Sequence, residues 1–297
     1  MNLQVFIQQL MNGISLGGLY ALIAIGYTMV YGILRLINFA HGDVFMLGTY
    51  FAFYLIGVFL LPWWLSAILA ILLASLVGMT IDRVAYRPLR NAPRISALIT
   101  AVGISFLLEN GGIVVLGARP KGFPRPALMA NVYSVAGANI IGVSIWVPLL
   151  SLGLLLLLLW IVYRTKMGMA MRAVSTDMET TRLMGVDIDR VISYTFALGS
   201  ALAAAGGIMW ACKYPQINPL MGIFPGWKAF TAAVVGGIGN IIGAMVGGFL
   251  IGIAEIMVVA LFPALSGYRD AFIFAILILF LLVKPTGLLG GPAKEKV

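Results

Sequence analysis

Asn38, His41 and Asp43 interrupt what would otherwise be continuous apolar sequence, Glu109 and Asn110 lie inside another apolar block, and Glu255 inside a third. A charge well within a bilayer costs several kcal/mol unless paired or wet, so such groups face a bundle interior or a cavity. The chemistry open to them is binding of a cationic group by the acids, pairing across helices or, for His41, proton relay. A lone histidine is more often a satisfied hydrogen-bonding group. Asn38 and Asp43 leave two readings open. One is a broken helix whose end lines a translocation pathway; the other is an ordinary turn in which either residue caps the next helix. Glu255 reads as a structural partner, and Glu109 is divided between pathway and pairing. Catalysis has little to draw on. The single His excludes a His-Glu-x-x-His metal helix, and Cys212 has no spaced partner. No Gly is followed by Lys and then Ser or Thr, so a phosphate-cradling loop is missing. No cofactor or metal is implied, and energy must come from a partner or an ion gradient.

The elements that must position these groups are set by composition. Of 297 residues, 62% are hydrophobic and 10% charged, with a mean hydropathy of +1.05. A soluble domain carries about 25% charged residues, so a cytosolic enzyme, a disordered scaffold and a secreted disulfide module are excluded. Apolar blocks fall at about 9–33, 44–61, 63–82, 95–117, 143–163, 191–212, 240–262 and 270–283, with a short Gly-rich piece at about 227–239. Blocks of about 20 residues cross roughly 30 Å of hydrocarbon as helix. These features predict an all-α polytopic transmembrane bundle of about eight to ten helices, some broken or re-entrant, forming one domain over 1–297. The short piece, some 20 Å of helix, is the expected broken crossing. No basic residue precedes Arg35 and no cleavage site follows a short apolar core, so the first block is expected to remain in the mature protein.

The net charge of +9 does not mark a nucleic-acid binder, because the basic residues lie between apolar blocks rather than on one face. If Arg35, 83–94, 164–190 and the tail are cytoplasmic, the inside holds 13 Lys and Arg and the outside 6, Arg119, Lys121, Arg125, Lys213, Lys228 and Arg269, which orients the chain by the positive-inside bias with its N-terminus outward. Gly13 and Gly17, Gly243 and Gly247, and Gly248 and Gly252 form Gly-x-x-x-Gly pairs, and 201–207 is almost all small. Such stripes let helices approach closely in lipid, chiefly within one bundle. Trp63, Trp64, Trp146 and Trp160 sit at block ends, as interfacial anchors do.

The charged segment 164–190 is distinctive. Thr176 precedes Glu179 at capping-box spacing, and Gly185 stands where a left-handed C-cap would fall. A helix of about eight residues is expected between them, carrying Met178, Leu183 and Met184 outside the bilayer, too short to be stable alone and suited to docking in a partner's groove.

Thr165-x-x-Gly168-x-x-x-Arg172-Ala173, then Asp177 and Gly185-Val186, resembles the cytoplasmic coupling segment of ABC importer permeases of the branched-chain amino acid type. Leu36-Ile-Asn38-Phe39-Ala40-His41-Gly42-Asp43 with Met46-Leu-Gly48 resembles the same family's early signature. Further similarity lies in Ala232-Ala-Val-Val-Gly236-Gly237-Ile-Gly239-Asn240 and in Lys284-Pro285-x-Gly287-Leu288-x-Gly290. The likeness runs in order through nearly the whole chain and is nearest to the LivH-type subunit. Thr181 departs from it, standing where relatives often carry Ala.

The resemblance implies an inner-membrane permease of a bacterial importer. Its partners would be a second, LivM-like permease, two cytoplasmic ABC ATPases and a periplasmic binding protein, and leucine, isoleucine and valine would be carried inward. On this view 164–190 couples to an ATPase through Thr165, Gly168, Arg172, Ala173, Thr176, Asp177, Glu179 and Gly185, and 118–142 is a periplasmic loop. The candidate pathway residues are Asn38, Phe39, His41, Gly42, Asp43 and Glu109. The same machine carrying urea, amides or other amino acids stands as an alternative. An ion-coupled transporter would want more intramembrane acids than Glu109, Glu255 and Asp43.

Overall fold

The computed structural model describes residues 3–90, 92–135 and 138–290. Among them the chain forms α1 (Leu3–Leu34), α2 (His41–Gly57), α3 (Trp63–Ile81), α4 (Arg94–Leu116), α5 (Ala127–Ala130), α6 (Val143–Arg164), α7 (Lys166–Thr176) and α8 (Met178–Leu183). It continues with α9 (Ile188–Lys213), α10 (Ile223–Gly236), α11 (Ile241–Leu261) and α12 (Arg269–Val283). Four short strands complete it: β1 (Lys121–Gly122), β2 (Val132–Val135), β3 (Ala138–Ile141) and β4 (Gln216–Ile217), with β1 paired to β4 and β2 to β3, both antiparallel. Among the described residues seven helical segments are long and apolar enough to cross a membrane. α2 and α10, with 17 and 14 residues, span only about 25 and 21 Å. The expected all-α polytopic bundle is what forms, and its short piece is α10. The part of the polar tail at 291–297 lies outside the described residues.

Contacts between loops sort the chain to two ends. At one end Tyr86 meets Asn38, Arg87 and Arg90 meet Asp189, and the backbone of Leu288 and Leu289 bonds Val235 and Gly236. At the other, β1 pairs with β4, Ser144 bonds Asn12, and Lys213 bonds the Asn12 carbonyl. The first is the basic end of the charge reading. Lys228, counted there among outer-loop charges, is instead buried within the bundle.

α1 and α9 form the centre, while α4 and α12 lie at the periphery with most of their apolar surface outward. In lipid no hydrophobic force draws helices together, so close backbone approach must supply the dispersion energy. The glycine stripes do this within the bundle. Gly13 and Gly17 of α1 face α11, where a Cβ on Gly17 would sit 2.7 Å from Phe249 Cα. In return Gly248 and Gly252 press on Ala21 and Gly17, and Gly243 and Gly247 press on α10 at Gly236 and Ala232. The small run of α9 takes α2, with Ala204 against Gly48 and Gly207 against Phe45.

Gly17→Leu overfills the α1–α11 contact and is expected to cost about 1–3 kcal/mol, read as a lower unfolding temperature of the detergent-purified protein. Gly103→Ala, where no heavy atom lies within 4 Å of the added Cβ, should leave that temperature unchanged or slightly raised.

Candidate functional site

The break between α1 and α2 is a retreat into the bundle rather than a surface turn. Arg35 adopts φ 54° and turns the chain. The loop then runs back along α1 until the His41 ring stacks on Tyr27 at 4.6 Å and presses on Gly26. α2 therefore begins about 10 Å before the end of α1, at 1.5 Å per residue. Neither Asn38 nor Asp43 caps it: the N-cap is Ala40, without a side-chain bond. Gly42 is helical. It lies in the first turn of α2 because the backbone of Gly222 crosses it, 2.7 Å from where a Cβ would be. Gly222 is the N-cap of α10, so two short helices start side by side in the interior of the bundle.

A cavity of about 260 Å³ opens at this junction. Its wall is made by Tyr27 of α1, Phe39, Gly42 and Asp43, by Ser105 and Glu109 of α4, and by Gly226, Trp227 and Phe230 of α10. Ser105 Oγ donates to Asp43 Oδ2 at 2.6 Å and lies 3.4 Å from Glu109 Oε1, so one hydroxyl bridges two acids. Of the sequence candidates, Phe39, Gly42, Asp43 and Glu109 reach the wall. Asn38 is turned to the basic end, accepting from the Tyr86 hydroxyl at 3.0 Å, and His41 is packed behind α2 with Nε2 unpartnered. Sequence reading missed Ser105, whose signal was its place four residues before Glu109 on one helical face. It also missed the α10 wall, which carries no distinctive polar residue.

Glu255, Asp270 and Asp82 are neutralised. Glu255 receives Lys228 Nζ at 2.6 Å and the Tyr20 hydroxyl at 2.8 Å, as its structural reading expected. Asp270 takes the second side of Lys228 at 2.7 Å, with Arg269 nearby. Asp82 takes Arg90 at 2.9 Å and Ser193 at 2.5 Å. Among the described residues Asp43 and Glu109 have no cationic partner. α10 thus has two faces, Lys228 pinned to α11 and α12, and Trp227 with Phe230 on the cavity.

At the basic end, 165–187 forms two helices rather than one. Thr165 caps α7, its hydroxyl accepting from Gly168 N–H at 3.1 Å, and Gly168 is pressed against the Ile161 and Val162 carbonyls. Arg172 stacks on the Tyr163 ring at 5.1 Å, and the Ala173 carbonyl accepts the Asp177 N–H. Thr176 does not cap α8. It is the last residue of α7, its hydroxyl donating to the Arg172 carbonyl, and Asp177 caps α8 by accepting from Glu179 and Thr180 N–H at 3.0 and 3.2 Å. A Thr hydroxyl already spent on the preceding turn leaves the cap to the next oxygen. α8 has six residues, and Gly185 ends it with φ 80°. Thr181 is not on the open surface: it is buried and donates to the Asp177 carbonyl. Leu183 and Met184 are 87% and 79% exposed.

Residues 9–281 match the family model described as branched-chain amino acid transport system / permease component. The chain belongs to that family. This permease is 45% identical to the high-affinity branched-chain amino acid transport system permease protein LivH of Salmonella typhimurium, over 98% of each chain. It is 42% identical to BraD of Pseudomonas aeruginosa, also over 98% of each. A chain of the PsaBC–Fab complex from Streptococcus pneumoniae shares its fold with a TM-score of 0.50, at 13% identity, over 94% of this chain and 91% of that one. It is accordingly a multi-pass inner-membrane permease subunit of an ABC importer.

Lys228→Met leaves Glu255 with only one cationic contact, the longer, half-exposed Arg269 at 3.8 Å, and is expected to cost up to about 3–5 kcal/mol, measured as lost folded protein after extraction. Adding Glu255→Gln should recover most of it, since the buried charge is then gone.

Proposed function

We propose that this permease carries branched-chain amino acids, leucine, isoleucine and valine, from periplasm to cytoplasm, and that the cavity at the α2–α10 junction is a waypoint on the route. The observation that carries this reading is the pair of acids without a cation, Asp43 and Glu109, bridged by Ser105. A primary ammonium is the group that such a pair lacks. The amino-terminal ends of α2 and α10 carry partial positive charge and supply a counterpart for a carboxylate. Phe39, Trp227 and Phe230 give an apolar side chain a wall without polar readout, which fits a route that leaves selectivity to a soluble receptor. Urea or a neutral amide would leave both acids uncompensated.

Drive would come from outside the chain. The basic end is read as cytoplasmic and 118–142 as a periplasmic loop. α7 and α8 would sit on one of two ABC ATPases, with Leu183 and Met184 seated in its groove, beside a second, LivM-like permease and fed by a periplasmic binding protein. Thr165, Gly168, Arg172 and Ala173 would fix the first helix to the body, and Asp177, Glu179 and Gly185 would shape the second. Motion there has a route inward, because α8 leads into α9, whose Asp189 and Ser193 hold Arg87, Arg90 and Asp82 at the foot of α3.

Asp43→Asn keeps volume and removes the charge. A lost charged hydrogen bond of about 1.5–3 kcal/mol predicts roughly ten- to a hundredfold slower ATP-driven leucine uptake by the reconstituted complex, with protein yield unchanged; normal uptake takes the cavity off the route. Asp177→Ala with Gly185→Val, each costing α8 about 1 kcal/mol, should raise ATP hydrolysed per leucine imported. Uptake indifferent to this pair excludes α8 as the coupling element.

A further inference from the structure

Lys121, one of the outer-loop charges, is held among three aromatic side chains. Its Nζ lies 5.1 Å from the centroid of Tyr54 and 5.8 Å from those of Tyr50 and Phe53, and it donates to the Tyr54 hydroxyl at 2.8 Å. An ammonium within about 6 Å of ring faces is attracted by their quadrupoles, so Tyr50 and Phe53, with the Tyr54 hydroxyl accepting from the Nζ at the rim, form a cation cage. The cage does not depend on the lysine for its shape. Phe53 packs edge-on against Tyr54 at 5.3 Å and against Tyr50 at 6.4 Å. The Tyr50 hydroxyl is buried with no hydrogen-bond partner, a polar atom left over in the wall.

Position links the cage to the cavity. Tyr50 and Tyr54 follow Asp43 by seven and eleven residues on α2, which returns them to the same helical face, the first about 10 Å nearer the outer end. The lysine's own tether is slight: β1 has two residues, bonded to two of β4, and Phe123 N–H reaches the Pro215 carbonyl.

We propose that Tyr50, Phe53 and Tyr54 form an outer subsite for a primary ammonium, which Lys121 fills at rest and the ammonium of an arriving amino acid takes over. Lys121 is then a built-in competitor that swings to water as cargo enters. The displacing ammonium finds the Asp43 carboxylate next along the same face of α2, with Glu109 of α4 in the same cavity wall. This rests on the amino-acid reading above and adds to it an entry point and a plug. A neutral amide could not exchange with the lysine on these terms.

The test uses the whole complex, this permease with its partner permease, ATPases and binding protein, in proteoliposomes. Lys121→Met empties the cage and is expected to lower the KM for ATP-driven leucine uptake about fivefold, the size of an ordinary cation–π contact. Adding Tyr54→Leu should cancel that gain. A Lys121→Met complex with KM equal to or above that of the unaltered complex, or a gain that survives Tyr54→Leu, overturns the proposal. A second measurement follows acylation of Lys121 by a membrane-impermeant amine reagent, resolved by peptide mass. Labelling should be slow at rest and faster with tetramethylammonium, which fills such cages and cannot itself be acylated; an unchanged rate overturns the cage. The readouts separate the two claims. A complex that imports no leucine sinks the cargo reading, while the effect of tetramethylammonium on Lys121 still decides the cage.

Discussion

A charge placed in hydrocarbon must find a partner or water, and this constraint organises the interior of the permease. Glu255 and Asp270 share Lys228, with Tyr20 completing the glutamate's bonds, and Asp82 takes Arg90 and Ser193. Each of these networks ties helices together: α10 to α11 and α12, α11 to the distant α1 through Tyr20, and the foot of α3 to the start of α9. Against that background Asp43 and Glu109 stand apart, two acids joined by a serine hydroxyl at the wall of a cavity. The same rule that makes Glu255 a fastener marks this pair out, since no cation among the described residues meets either acid.

The cavity exists because two helices are short and start inside the bundle. α2 begins beside Tyr27 of α1, well before α1 ends, and α10 begins where its N-cap Gly222 crosses Gly42. Only residues without a Cβ permit that crossing. Glycine again sets the lower end of α10, where Gly237 at φ 112° lets Leu288 and Leu289 bond the Val235 and Gly236 carbonyls. Two glycine-rich segments about 50 residues apart in the chain, 232–240 and 284–290, thus build one corner, closed by Asn240 on the Leu289 carbonyl. α10 is held on three sides and bears the cavity on the fourth.

The segment after α6 follows different physics, since it lies among charges rather than in the apolar bundle. α7 is long enough to present a buried stripe of Gly168, Met171 and Val174 to the body. α8 has only six residues and depends on its Asp177 cap, its left-handed Gly185 and the buried Thr181 for its shape. That leaves the apolar Leu183 and Met184 standing outward on an element with little stability of its own.

The apolar blocks, the breaks between them, the basic end and the glycine stripes were all legible in the sequence, because block length against bilayer thickness and charge against hydrocarbon are local properties of the chain. The left-handed turn at Gly185 was legible for the same reason, as was the need of Glu255 for some partner, though not which one. The cap of α8 was not, because Thr176 and Asp177 are both competent oxygens and only the register of α7 assigns them. Folding alone decided which acids meet cations. Lys228, Arg90 and Lys121 read identically as loop charges, yet one closes a buried network, one anchors the foot of α3 and one fills an aromatic cage. Their partners lie 27, 8 and 67 positions away, and the longest of these separations are set by how the helices stack.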